Sequence, residues 1–106
     1  MAWFMLLVAG LLEVVWAFTM KLSDGFTRFV PSAITLVAMV ASVVLLSFSM
    51  KTLPLGTAYT IWTGIGAVGA FVLGIAVLGE QASVSRILAA VLIVSGLALM
   101  KWSTPA

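Results

Sequence analysis

The sequence contains no cysteine and no histidine, and charged residues make up only 8% of its 106 positions. Without cysteine, the chain has no disulfide framework and no thiolate metal site. Without histidine, it lacks the commonest general base and the commonest metal ligand, so we predict neither an enzyme nor a metal or cofactor site. A soluble domain has about 25% charged residues, so this chain has too few to cover a water-facing surface.

Hydrophobic residues, in contrast, make up 64% of the chain, which predicts an integral membrane protein embedded in a lipid bilayer. The formal net charge of +2 is too small to indicate a nucleic-acid partner. The first apolar run lacks the basic segment that begins a signal peptide, so we expect it to be a retained membrane helix.

Charged residues divide the sequence into four long apolar stretches. A helix needs about 20 mostly apolar residues to cross a bilayer. The stretches predict an all-α membrane protein, a single domain over 1–106, with four transmembrane helices near 3–20, 29–50, 56–79 and 84–100.

Basic residues are almost evenly divided between the two ends of such a bundle. Lys51 and Lys101 lie at one end, while Lys21, Arg28 and Arg86 lie at the other. Because an excess of Lys and Arg on one side orients a membrane protein, this balance hardly specifies the orientation of the chain in the membrane. It is compatible with insertion in both directions, and two opposed copies would form an inverted pair of the kind that transporters use. A single orientation set by another feature, such as the N-terminal amine, is the alternative.

Glu13 is the only acidic residue within the predicted spans, and it lies near the middle of the first one. An acid at the bilayer centre costs about 2.5–3.5 kcal/mol on insertion scales, so it indicates a function by default. A structural bond to a base is the alternative, but every lysine and arginine lies at a helix end. We therefore predict that Glu13 exchanges a proton for a cation.

The residues near Glu13 suit a cation site. At helical spacing, Gly10 opens space beside the acid and Trp16 places an indole close to it. Tyr59 and Trp62, in the third span, add aromatic faces, which attract cations more strongly when desolvated. Ordinary aromatic packing is the competing explanation for these rings.

Ser42 and two glycines are further candidates. Ser42, midway along the second span, could hold the Glu13 carboxylate, although mid-span hydroxyls more often bond the carbonyl four residues earlier. Gly64 and Gly66 follow Trp62 and predict a hinge in the third helix, whereas close helix packing explains most of the glycines there.

Two segments of the chain resemble the small multidrug resistance family. They are GLLEVVW at 10–16, and KTLPLGTAY at 51–59 followed by IWTGIGA at 61–67. The resemblance covers essentially the whole chain and is strongest for the guanidinium-exporter branch. Residues typical of that branch are found at five positions, Gly10, Trp16, Ser42, Thr63 and Lys101. Thr60 departs from the small apolar residue expected there.

This resemblance implies a bacterial inner-membrane antiporter that exports guanidinium or small guanidinyl cations, including guanylurea-like compounds, in exchange for protons. It implies an antiparallel, dual-topology homodimer with both Glu13 side chains facing one site. The remaining site residues it implies are Gly10, Trp16, Ser42, Tyr59 and Trp62, with Gly64 and Gly66 as the hinge.

Two other functions are compatible with the sequence. One is the proton-coupled export of quaternary ammonium and other hydrophobic cations, against which Ser42 and the pair of Gly10 and Trp16 argue. The other is a non-transporting subunit or one half of a heterodimer, which a strong orientation bias would indicate. A membrane enzyme is the weakest alternative, because the chain offers no acid–base pair.

Overall fold

The computed structural model describes residues 1–104, which form four α-helices. Helix α1 spans Ala2–Leu22, α2 spans Phe29–Ser49, α3 spans Leu55–Ala76 and α4 spans Val84–Ser103. Each is long and apolar enough to cross a membrane. The all-α, four-span class predicted from the sequence is therefore confirmed.

The third and fourth helices end at different residues from those expected. Helix α3 ends at Ala76, and the connection that follows includes Gly79 with φ of +71°, a left-handed conformation that glycine adopts without strain. Helix α4 is capped by Ser83, whose side chain accepts a hydrogen bond from the Arg86 backbone N–H. It continues to Ser103, beyond its last apolar run.

Helix α1 lies at the centre of the packing, because it contacts both α2 and α3 extensively. The hydrophobic core follows from this arrangement and comprises Leu6, Ala9, Leu46, Leu53, Ala58, Ile61 and Trp62. Helix α4 packs mainly on α3, touches α1 where Lys101 Nζ lies 4.9 Å from the centroid of the Trp3 ring, and buries none of its residues. One apolar helix is thus left with most of its surface uncovered by its own chain.

Helices α1 and α2 are joined by a tight connection and by a hydrogen bond within the bilayer region. In the turn that follows α1, the buried Ser23 hydroxyl accepts from the Phe26 N–H at 3.0 Å. Deeper in, the Oγ1 atoms of Thr19 and Thr35 lie 2.6 Å apart and share a hydrogen bond. Because Thr35 is fully buried, this bond fixes the register of the two helices.

Glycine in α3 allows α1 to approach closely. A Cβ atom built on Gly69 would overlap the Val14 side chain of α1, and the valine, branched at Cβ, has little freedom to move away. We expect Gly69→Ala to destabilise the folded protein by about 1–3 kcal/mol through overpacking. Thermal unfolding in detergent measures this effect.

Gly56→Ala is the matched control, because Gly56 is exposed in the first turn of α3 and a Cβ there meets open space. It should leave stability unchanged or raise it by up to about 1 kcal/mol through helix propensity. Equal effects of the two substitutions would contradict the close α1–α3 packing described here.

Candidate functional site

Glu13 projects from the middle of α1 onto the backbone of α3. A Cβ built on Gly66 would overlap the Glu13 carboxyl group, so the missing side chain of this glycine makes the space that the acid occupies. The Oε1 atom of Glu13 is buried and has no hydrogen-bond partner among residues 1–104. Burying a carboxyl oxygen without a hydrogen bond costs free energy. An acid placed in this way inside a membrane span is typical of a ligand-binding or proton-binding group.

Trp16 lies one turn further along α1, and like Glu13 it has a buried polar atom in its side chain. Its indole Nε1 is buried and has no hydrogen-bond partner in the part of the chain that the structure describes. Buried polar atoms are paired in the great majority of cases, so two unpaired atoms this close in sequence demand an explanation. The Glu13 oxygen is an acceptor that the N–H groups of a cation can satisfy, whereas the Trp16 N–H is a donor and would need an acceptor.

Ser42 is fully buried and links three helices. Its hydroxyl donates to the Ala9 carbonyl of α1 at 2.6 Å and accepts from the Trp62 Nε1 of α3 at 2.9 Å. Because its single proton is committed to Ala9, Ser42 does not hold the Glu13 carboxylate in this structure. It also makes no bond to the carbonyl four residues earlier, and instead orients the Trp62 indole.

Tyr59 and Trp62 lie next to each other on α3 but in different surroundings. Their ring centroids are 5.6 Å apart with planes tilted by 48°. Trp62 is only 9% exposed, whereas Tyr59 is 53% exposed and lines a groove of about 480 Å³ between α3 and α4. The two aromatic faces are thus contiguous, but one protomer leaves the tyrosine face open.

The three predicted glycines are all points of close approach. A Cβ at Gly10 would lie 2.7 Å from the Ile65 side chain of α3, and one at Gly64 would lie 2.6 Å from Leu97 of α4. Gly10 therefore faces Ile65, whereas Gly66 gives clearance to Glu13. Helix α3 continues without interruption through Gly64 and Gly66.

Sequence reasoning missed the part that Ala9 takes in the site. Its carbonyl anchors Ser42, and a backbone acceptor inside a helix carries no side-chain signal from which its partner could be predicted. Residues 1–104 contain no group of three acidic side chains that could hold a metal ion.

Comparison with known proteins shows which family the chain resembles over its whole length. Residues 1–103 match the family described as Small Multidrug Resistance protein. A guanidinium exporter of Yersinia pseudotuberculosis is 60% identical over 101 residues, which cover 95% of this chain and 97% of the relative. The guanidinium exporter of Citrobacter freundii is 58% identical over 104 residues, covering 98% of this chain and 99% of that protein.

Replacing Ser42 tests whether it orients the site. In Ser42→Ala, the buried Trp62 N–H loses its acceptor, which should cost about 1–3 kcal/mol of stability and shift the indole N–H resonance of Trp62 in NMR spectra. Ser47→Ala, which removes an exposed hydroxyl from the same helix, is the control. Identical indole spectra for the two variants would show that Ser42 does not hold Trp62.

Proposed function

The chain belongs to the small multidrug resistance family, and on that premise we propose that it exports guanidinium or small guanidinyl cations in exchange for protons. It is a multi-pass protein of the bacterial inner membrane. The observation that carries the proposal is the Glu13 carboxyl, which lies against Gly66 and has one buried oxygen without a partner in the part of the chain that the structure describes.

A guanidinium ion matches the chemistry of this site. The ion is planar, and its fork of N–H donors pairs with both oxygens of a carboxylate, while its face stacks on aromatic rings. Glu13 supplies the carboxylate, and Trp16, one turn away, supplies an indole on the same helix. Trp62 and Tyr59 supply a second aromatic surface on α3.

A second copy of the chain completes the site in this proposal. Helix α4 buries none of its residues, and Tyr59 is half exposed, so one protomer leaves surfaces that a partner would cover. The nearly equal division of lysine and arginine between the two ends favours an antiparallel pair. In such a homodimer, two Glu13 carboxylates bracket one cation.

Proton exchange follows from the charge of Glu13. The ionised carboxylates bind the cation, and protons that reach them from the opposite side of the membrane neutralise them and release it. Because a carboxylate cannot hold a proton and a cation on the same oxygens, the two compete. Gly64 and Gly66 act in this scheme as the hinge that lets α3 bend between the two states.

Replacing the acid tests the assignment directly. Glu13→Gln keeps the shape of the side chain but removes its charge, so we expect it to abolish guanidinium transport while the protein remains folded. Capacitive currents from proteoliposomes perfused with guanidinium measure the effect. Asp24→Asn, in the exposed α1–α2 connection, is the control and should transport normally.

A mutant at Glu13 that still transports guanidinium would overturn the proposal. Tetrapropylammonium, perfused over the wild-type protein, separates guanidinyl export from export of bulky ammonium ions. We expect currents with guanidinium and guanylurea and none with tetrapropylammonium. Larger currents with the bulky ion would assign the protein to hydrophobic-cation export.

Competition between protons and cations also predicts a dependence of binding on pH. Guanidinium affinity should fall as the pH falls, because protonation of Glu13 removes the charge that binds the cation. Isothermal titration calorimetry of the detergent-solubilised protein over a pH series measures this. Affinity that does not change with pH would be incompatible with a shared site.

A further inference from the structure

A second charged cavity lies at the end of the molecule where α1 ends and α4 begins. It has a volume of about 290 Å³, and its charged lining consists of Lys21, Glu80 and Arg86. The other lining residues are apolar and mostly small, and include Ala17, Ala70 and Gly74. The site described above uses none of these residues.

Glu80 is held in this cavity by the backbone that follows α3. Its N–H donates to the Gly74 carbonyl at 2.9 Å, and a Cβ at Gly74 would meet the Glu80 carboxyl group. The chain reaches this position through Gly79, whose φ of +71° turns the connection back over the end of α3. The carboxyl thus lies against α3, in the cavity that Lys21 and Arg86 also line.

Arg86 shows what kind of group this cavity accepts. The centre of its guanidinium lies 5.3 Å from the centroid of the Phe71 ring, and its Nη1 donates to the Gln81 carbonyl at 2.8 Å. A guanidinium group therefore already lies over an aromatic face of the cavity that Glu80 lines, and it also bonds the carbonyl of the residue that follows Glu80. These are the contacts by which a free guanidinium ion is recognised.

The cavity lies in line with the Glu13 site. Gly66, Ala70 and Gly74 occupy one face of α3 at helical spacing, and the carboxyls of Glu13 and Glu80 rest against its first and last members. Eight residues of helix separate Gly66 from Gly74, or about 12 Å. Only small side chains lie along this row.

We propose that this cavity is a staging site for guanidinium, in which Glu80 and Phe71 receive the cation and the tethered guanidinium of Arg86 competes with it. The inference rests on the function proposed above and extends it to the membrane surface. Lys21 lines the same cavity, so its two bases outnumber its one acid, and the cation is held weakly and passed on.

Replacing Glu80 tests the acid. In Glu80→Gln, the KM for guanidinium, measured from capacitive currents in proteoliposomes, should rise by about threefold or more, with a smaller change in the maximal current. Asp24→Asn removes the other acid at the same end of the molecule and is the control, with an unchanged KM. Equal KM values for the two variants would overturn the staging site.

Replacing Arg86 tests the competition. Arg86→Gln should lower the KM by about twofold, whereas Arg28→Gln, at the same end of the molecule, should not. Arg86→Lys keeps the charge but loses the planar fork. If the Arg86 guanidinium competes with the cation, the KM should fall in this variant too. If Arg86 acts only by charge repulsion, the KM should not change.

The two proposals fail in different ways. If the wild-type protein gives no guanidinium current, the proposed function is wrong. If the wild-type protein transports, Glu13→Gln does not, and the Glu80 and Arg86 variants match their controls, the export function stands and the staging site is wrong.

Discussion

The structure depends on one constraint, which is that a carboxyl group inside a membrane helix has to be accommodated although every lysine and arginine lies at a helix end. Glu13 meets it by resting on Gly66, where the absence of a side chain lets α1 and α3 come close enough to enclose the acid. The contact leaves Oε1 buried, with no hydrogen-bond partner among the described residues 1–104. An unpaired buried oxygen lowers the stability of the fold unless a ligand or a proton pairs with it. The same atom therefore affects both the stability of the protein and its proposed function.

The surrounding contacts keep the approach of α1 to α3 within narrow limits. Ile65 fits over Gly10 and Val14 fits over Gly69, so the two helices interlock on either side of Glu13. Ser42 then ties the pair together from α2 by bonding the Ala9 carbonyl and the Trp62 indole. Because these contacts are local and buried, the Trp62 ring is held in a defined orientation.

Much of this could be predicted from the sequence, because bilayer physics leaves few choices. The length of the apolar stretches predicts four spans, and the rarity of acids in such spans singles out Glu13. The partners of Ser42 and Gly10 could not be predicted, since a hydroxyl in a helix bonds its own backbone as readily as another helix. Helix α3 ends at Ala76, three residues before the expected end near 79, and the features that follow it, a left-handed Gly79 and the Glu80 carboxyl against Gly74, leave no hydropathy signal.

In the proposed homodimer, two chains share one cation between their Glu13 carboxylates. Isothermal titration of guanidinium into the purified protein measures the number of binding sites per chain directly. We expect one cation for every two chains, with no binding heat in Glu13→Gln. A stoichiometry of one cation per chain would contradict this expectation, because each Glu13 would then hold a cation of its own.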